Sequence, residues 1–145
     1  MMRFTINTDG GARGNPGPAG VGFTIKDDAG RLLKEGGAYV GETTNNWAEY
    51  EAVIRALAEL KKLIPEAKRS AAVLDFVLDS ELVVKQLSGE YQIKDEPLQL
   101  QFMRIWNAKV AHFPNMTFRH VARAENAAAD KLVNAAIDSH AARLV

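Results

Sequence analysis

The sequence predicts an α/β fold: a five-stranded mixed sheet, three antiparallel strands followed by parallel ones, with helices on both faces. Three observations carry this expectation. Arg3 to Asp9 alternates apolar and polar positions with a period of two, and two further strand-like runs up to Val40 flank the turn at Asp27-Asp28-Ala29-Gly30. From Asn46 the period lengthens to that of a helix. Beyond Pro65, strand-like and helical runs take turns, as the long crossovers between parallel strands require.

Arg3 to Asp9 sets Phe4, Ile6 and Thr8 against Arg3, Thr5 and Asn7, so it reads as a strand that ends at Asp9-Gly10-Gly11. Gly10 to Gly20, rich in Gly and Pro, reads as a tight loop. Val21 to Lys26 and Arg31 to Val40 then form a hairpin around Asp27-Asp28-Ala29-Gly30. From Asn46, Trp47, Tyr50, Val53, Ile54, Leu57 and Leu60 recur every three or four residues, with Glu51, Arg55, Glu59 and Lys62 largely on other faces. That is a long amphipathic helix stopping near Pro65. Ala71 to Leu78 is an almost unbroken apolar run, as expected of a strand buried on both faces. Asp79-Ser80 opens a short helix through Leu87. Leu98 to Phe113 is helical, Met116 to Val121 is a strand, and Asn126 to Ala141 is a last, alanine-rich helix; the tail from Ser139 carries no reading of its own. Trp47 and Trp106 sit at helical spacing among apolar neighbours and are expected in the core.

With 145 residues, 47% of them apolar, the chain suits one domain over residues 1–145. No cysteine is present, which excludes disulfides, thiolate metal sites and cysteine nucleophiles. Met-Met-Arg leads straight into a strand pattern without the apolar stretch of a signal peptide, and no segment is long enough to span a bilayer. A cytoplasmic monomer with no membrane role is the expectation. Eighteen basic residues balance eighteen acidic ones, so any polyanionic partner must be held through a small footprint.

Asp9, Glu49, Asp79 and Asp130 lie far apart in sequence, yet each falls at a strand end or in a helix that can face a common point. Singly, each has an ordinary explanation. Asp9 can start a turn, Asp79 can begin a helix, Glu49 can close a capping box with Asn46, and Asp130 can be a solvated helix residue. Together they are hard to place without cations or protons, because two unpaired carboxylates at about 4 Å repel by roughly 4 kcal/mol at an effective dielectric near 20. Such a cluster suits a pair of Mg²⁺ ions, with Mn²⁺ as a substitute, since the donors are all oxygen. Two such ions about 3.5 to 4 Å apart can activate water on one side of a phosphodiester and stabilise the leaving oxygen on the other.

The segments TDGGARGNPGPAG, TTNNWAEYEAVIRAL, DSELVVKQLSG and HVARAENAAAD resemble, in order and spacing, the motifs of the type 1 ribonuclease H family, over Thr8 to about Ala136. The resemblance implies a ribonuclease H-like fold and hydrolysis of the RNA strand of RNA/DNA hybrids, leaving 3′-hydroxyl and 5′-phosphate ends. It makes Asp9, Glu49, Asp79 and Asp130 the metal-binding carboxylates. Asn15, Asn45 and Asn46 match residues that reach minor-groove atoms or the sugar-phosphate backbone, where an amide can read a 2′-hydroxyl. Thr44 matches a residue that holds a DNA-strand phosphate, while Gly10 and Gly11 let the duplex come close. His120, six residues before Asn126, falls where the family commonly has a mobile histidine that assists proton transfer or product release. A packed strand-end histidine is the ordinary alternative, and Arg123 can replace it electrostatically. Asn126 is expected to orient the loop or cap the last helix.

The chain departs from many family members in two places. Ser88 to Pro97 carries one lysine against three acids where those members insert a basic, tryptophan-bearing helix and loop, so it resembles the compact subgroup without that protrusion. Glu81 stands where many have a substrate-contacting glutamine. Competing readings are a broader nuclease that also cuts double-stranded RNA, and a silent hybrid-binding module. The glycine-rich segment lacks the Lys-Ser/Thr ending of a P-loop.

Overall fold

A computed structural model describes residues 2–144. The sheet runs β3-β2-β1-β4-β5, with β1 at Arg3–Ala12, β2 at Gly17–Lys26, β3 at Leu32–Thr43, β4 at Val73–Leu78 and β5 at Asn115–His120. The helices are α1 (Asn45–Leu63), α2 (Glu81–Leu87), α3 (Glu96–Ala111) and α4 (Ala127–Arg143), and a short 3-10 turn at Arg123–Asn126 leads into α4. The order and the antiparallel-then-parallel pairing agree with the sequence expectation.

The glycine-rich segment behaves differently from the loop that its composition suggests. Strand β1 continues three residues past Asp9, and β2 begins at Gly17, leaving only 13–16 as the turn. Antiparallel pairing with β2 runs on to Ala12↔Ala19, whereas parallel pairing with β4 stops at Asn7↔Val77. Asp9 therefore sits inside a strand, just past the point where its β4 neighbour ends. The sheet opens there, at the carboxyl ends of β1 and β4, where connections leave in opposite directions and α/β folds hold their ligands.

Alternation along β1 assigns its two faces. Phe4, Ile6 and Thr8 point toward α1, whose Tyr50, Val53, Ala56 and Leu60 complete a buried core with Ile25, Leu74, Phe76 and Phe113. Thr44 caps α1 by accepting the N–H of Trp47 at 3.2 Å, and the helix stops as Ile64 becomes extended ahead of Pro65. The opposite face of β1, β2 and β3 receives α4. It approaches closely because glycines line its track: a Cβ on Gly22 would lie 2.4 Å from the Ala129 carbonyl oxygen.

Three expectations about burial change. Glu51 is buried, where its carboxylate accepts Arg55 Nε at 2.9 Å and Gln101 Nε2 of α3 at 3.4 Å. Trp106 lies on the outer side of α3, 47% exposed, stacked with Phe102, while Trp47 packs partly into the core as expected. On β4, Asp75 is half-buried and pairs with Arg119 at 3.4 Å, so this strand is not enclosed on both faces. The residues from Ser139 to Arg143 continue α4, with His140 stacked on Tyr39 at a ring separation of 3.6 Å.

Candidate active site

Each of the four acids arrives on a different element. Asp9 projects from β1 on the α4 side, Glu49 from the second turn of α1, Asp79 from the residue after β4, and Asp130 from the first turn of α4. Oxygen atoms of Asp9, Glu49 and Asp79 lie within 4.8 Å of one another. Asp130 borders the same cleft, of about 550 Å³, close enough to Asp9 to raise its pKa.

Crowding these groups in a half-buried cleft favours their protonated forms. Burial raises Asp9 to about 8, with further upward pressure from Asp79, Asp130 and Glu49. Burial, then the charge of Asp79, raises Glu49 to about 7, against a hydrogen bond from Ser80 that opposes the rise. Asp79 is also raised by burial, and the Arg123 guanidinium pulls it back down. Near neutrality the cluster thus retains protons that a divalent cation would displace. Three converging carboxylates without sulfur or imidazole fit a hard, oxygen-preferring cation such as Mg²⁺ or Mn²⁺.

Asn126 anchors this arrangement from below. Fully buried at the start of α4, it makes no side-chain capping bond; its Nδ2 donates to the Thr8 carbonyl at 2.9 Å and its Oδ1 accepts from Asn7 Nδ2 at 3.0 Å. It therefore ties the 3-10 turn and α4 to the β1 backbone next to Asp9. Of its two expected roles, the structure displays the orienting one.

The residues expected to contact a duplex divide into two groups. Gly10, Gly11, Asn45 and Asn46 border the cleft with the acids. Asn15 is exposed on the adjoining turn, its Oδ1 accepting the Asn45 N–H at 3.0 Å, while Asn45 Oδ1 accepts the Ala12 N–H at 2.8 Å. Thr44 is occupied as the α1 cap. The missing side chain of Gly10 has a structural use, because a Cβ there would fall 2.2 Å from the Ala48 carbonyl carbon. His120 is exposed at the end of β5, opposite Leu78, and is not among the cleft-lining residues; Arg123 is. Sequence reasoning passed over Arg13, Ser80 and Asn134, which also border the cleft. Asn134 carried a signal, since it lies one helical turn beyond Asp130.

A five-stranded mixed sheet with an acidic, all-oxygen cluster at its opening defines the ribonuclease H-like class. Residues 7–136 match the family model described as "Reverse transcriptase-like". Ribonuclease HI of Halobacterium salinarum is 40% identical over 132 residues, covering 90% of this chain and 62% of that protein. A bifunctional protein of Mycobacterium tuberculosis is 39% identical over 141 residues, but these are 97% of this chain and only 37% of its own length. The chain thus spans about a third to under two thirds of these curated relatives. Among solved structures, LC11-RNase H1, isolated from compost by a metagenomic approach, superposes with a TM-score of 0.90 at 48% identity, covering 97% of this chain and 99% of that one. The same enzyme has been crystallised with an RNA/DNA hybrid. The chain belongs to the type 1 ribonuclease H family.

Proposed function

We propose that this protein is an endoribonuclease that hydrolyses the RNA strand of RNA/DNA hybrids, leaving 5′-phosphate and 3′-hydroxyl ends. The observation that carries the reading is the convergence of Asp9, Glu49 and Asp79 within 4.8 Å in a cleft also bordered by Asn45 and Asn46. The hybrid-bound structure of the 48%-identical LC11-RNase H1 supports the choice of substrate. Asp9, Glu49, Asp79 and Asp130 would hold two divalent ions, Mg²⁺ foremost, which supply an activated water and charge stabilisation at the leaving oxygen.

The chain's own residues place the duplex. The Oδ1 atoms of Asn15 and Asn45 are engaged by backbone N–H groups, which leaves each Nδ2 as a donor without a protein acceptor among the described residues. Such amide donors suit the 2′-hydroxyls and minor-groove acceptors that an RNA strand presents. Arg123 offsets the negative charge at Asp79 and borders the cleft, which would let it face a phosphate bound at the acids. It takes the electrostatic role in preference to His120, which lies outside the cleft.

The test is cleavage of a hybrid labelled on either strand, with Mg²⁺ and with EDTA, and with the product ends determined. Asp9→Asn and Asp130→Asn are each expected to lower kcat by at least ~10²-fold while leaving the far-ultraviolet circular dichroism unchanged. Full turnover in both variants, or cutting in EDTA, would refute the reading. An RNA/RNA duplex of the same sequence forms a further arm, since it offers the same 2′-hydroxyl edge.

A further inference from the structure

We infer that Arg13 is a positioning residue for this reaction: it latches the turn bearing Asn15 to the helix bearing Asp130, and so sets the spacing between the substrate-facing amides and the carboxylates. The inference rests on the activity proposed above.

The turn at 13–16 stands between the two helices that supply Glu49 and Asp130. On the α1 side it is held by the two backbone-to-side-chain bonds already described, Ala12 N–H to Asn45 Oδ1 and Asn45 N–H to Asn15 Oδ1. On the α4 side Arg13 makes the polar fastening found among the described residues. Its Nη1 lies 2.6 Å from Asp138 Oδ1, and its Nη2 donates to Asn134 Oδ1 at 3.3 Å and to the Asn134 carbonyl at 3.5 Å. Asn134 Nδ2 in turn donates to the Asp130 carbonyl at 3.1 Å. Asp130, Asn134 and Asp138 are spaced four apart and share one face of α4, so contacts run from the turn through Asn134 to the backbone of Asp130, whose side chain joins the acidic cleft. The planar guanidinium can satisfy two of these partners at once, which a lysine ammonium cannot do with the same geometry.

A plain surface ion pair is the competing description. Both side chains are well exposed, and such pairs contribute little to stability. The position argues otherwise: Arg13 and Asn134 both border the cleft, whereas Asp138 stands outside it. A cation intended for direct phosphate contact would also be weakened by a carboxylate held at 2.6 Å. Tethering of a substrate-binding turn is the use that accounts for both contacts.

Asp138→Ala separates the two roles by sign. As a latch, Arg13→Ala and Asp138→Ala each raise KM for the hybrid roughly fivefold with less than about a twofold change in kcat, and Arg13→Lys recovers part of the loss. The melting temperature moves by less than about 4 °C in each. If Arg13 instead grips a phosphate directly, Asp138→Ala frees it and lowers KM, and Arg13→Ala makes the salt slope shallower by about 0.9. Either of those results overturns the latch, as does an unchanged KM in both alanine variants. A second readout needs no substrate: amide hydrogen exchange at Ala12 and Asn45 speeds up in Arg13→Ala while exchange in β4 stays the same. Unaltered exchange at both amides overturns the latch whatever the kinetics show. Wild-type protein that leaves a hybrid uncut, with the exchange effect present, counts against the activity and leaves the latch standing.

Discussion

At the scale of single residues, the acids are held at a cost that depends on pH. In the folded chain Asp9 titrates at about 8 against an ordinary 3.8, and Glu49 at about 7 against 4.5. Between those values the folded state binds more protons than the unfolded one, so the contribution is stabilising below the ordinary pKa and disappears as pH rises through the folded one. Without divalent ions, the melting temperature is therefore expected to fall between pH 5 and pH 8. Asp9→Asn should flatten that decline and stabilise the metal-free protein at pH 8 by about 1–3 kcal/mol. Added Mg²⁺ should raise the melting temperature more at pH 8 than at pH 5, because fewer protons then need displacing. Calorimetry across that range checks all three, and a metal-free stability that climbs with pH would contradict the crowding argument. The identity of these acids was legible in the sequence. Their perturbation was not, since it arises from neighbours 30 to 121 residues away that only folding brings together.

At the scale of elements, the site depends on how closely α4 can lie on the sheet. Its Ala129, Val133 and Ile137 are buried over a glycine track, and Gly22 meets the helix backbone itself. Gly22→Ala must push α4 outward, and Asp130 rides on its first turn. Overpacking of this kind is expected to cost about 1–3 kcal/mol in stability and to reduce kcat along with it. Gly30→Ala, in an open turn at φ +81, is a useful contrast: it is strained in its backbone but should spare kcat, because nothing lies within 4 Å of the added carbon. Denaturant melts and cleavage rates on the two variants test the distinction. This is also where sequence reasoning went astray. Gly10 to Gly20 looked like a loop because glycine is a turn residue on its own, yet here it serves strands pressed against helices. Glu51 looked outward-facing until Arg55 and Gln101 supplied it with buried partners.

For the whole molecule, charge sets how the proposed substrate is gripped. The protein has no net charge, and between α2 and α3 only Ser88 to Asp95 intervene, with Lys94 the one basic residue. Each phosphate neutralised steepens log K against log salt by about 0.9, so few contacts mean a shallow slope. Hybrid binding in Ca²⁺ is expected to show a slope of magnitude below about 4. A slope as steep as that of relatives bearing a basic protrusion would show that cationic contacts have been overlooked. Period-two and helical patterning, turn chemistry and the four acidic motifs determined the element order, the sheet class and the family from the sequence alone. Those features are local, each written in a single run of about twenty residues or fewer. What only the tertiary structure decided is where β1 outlasts β4, which glycines face a helix, how near Asp9, Glu49 and Asp79 come to one another, and that Arg123 rather than His120 enters the cleft. Those depend on strand register and on side-chain direction across long separations, which packing fixes and no local pattern encodes.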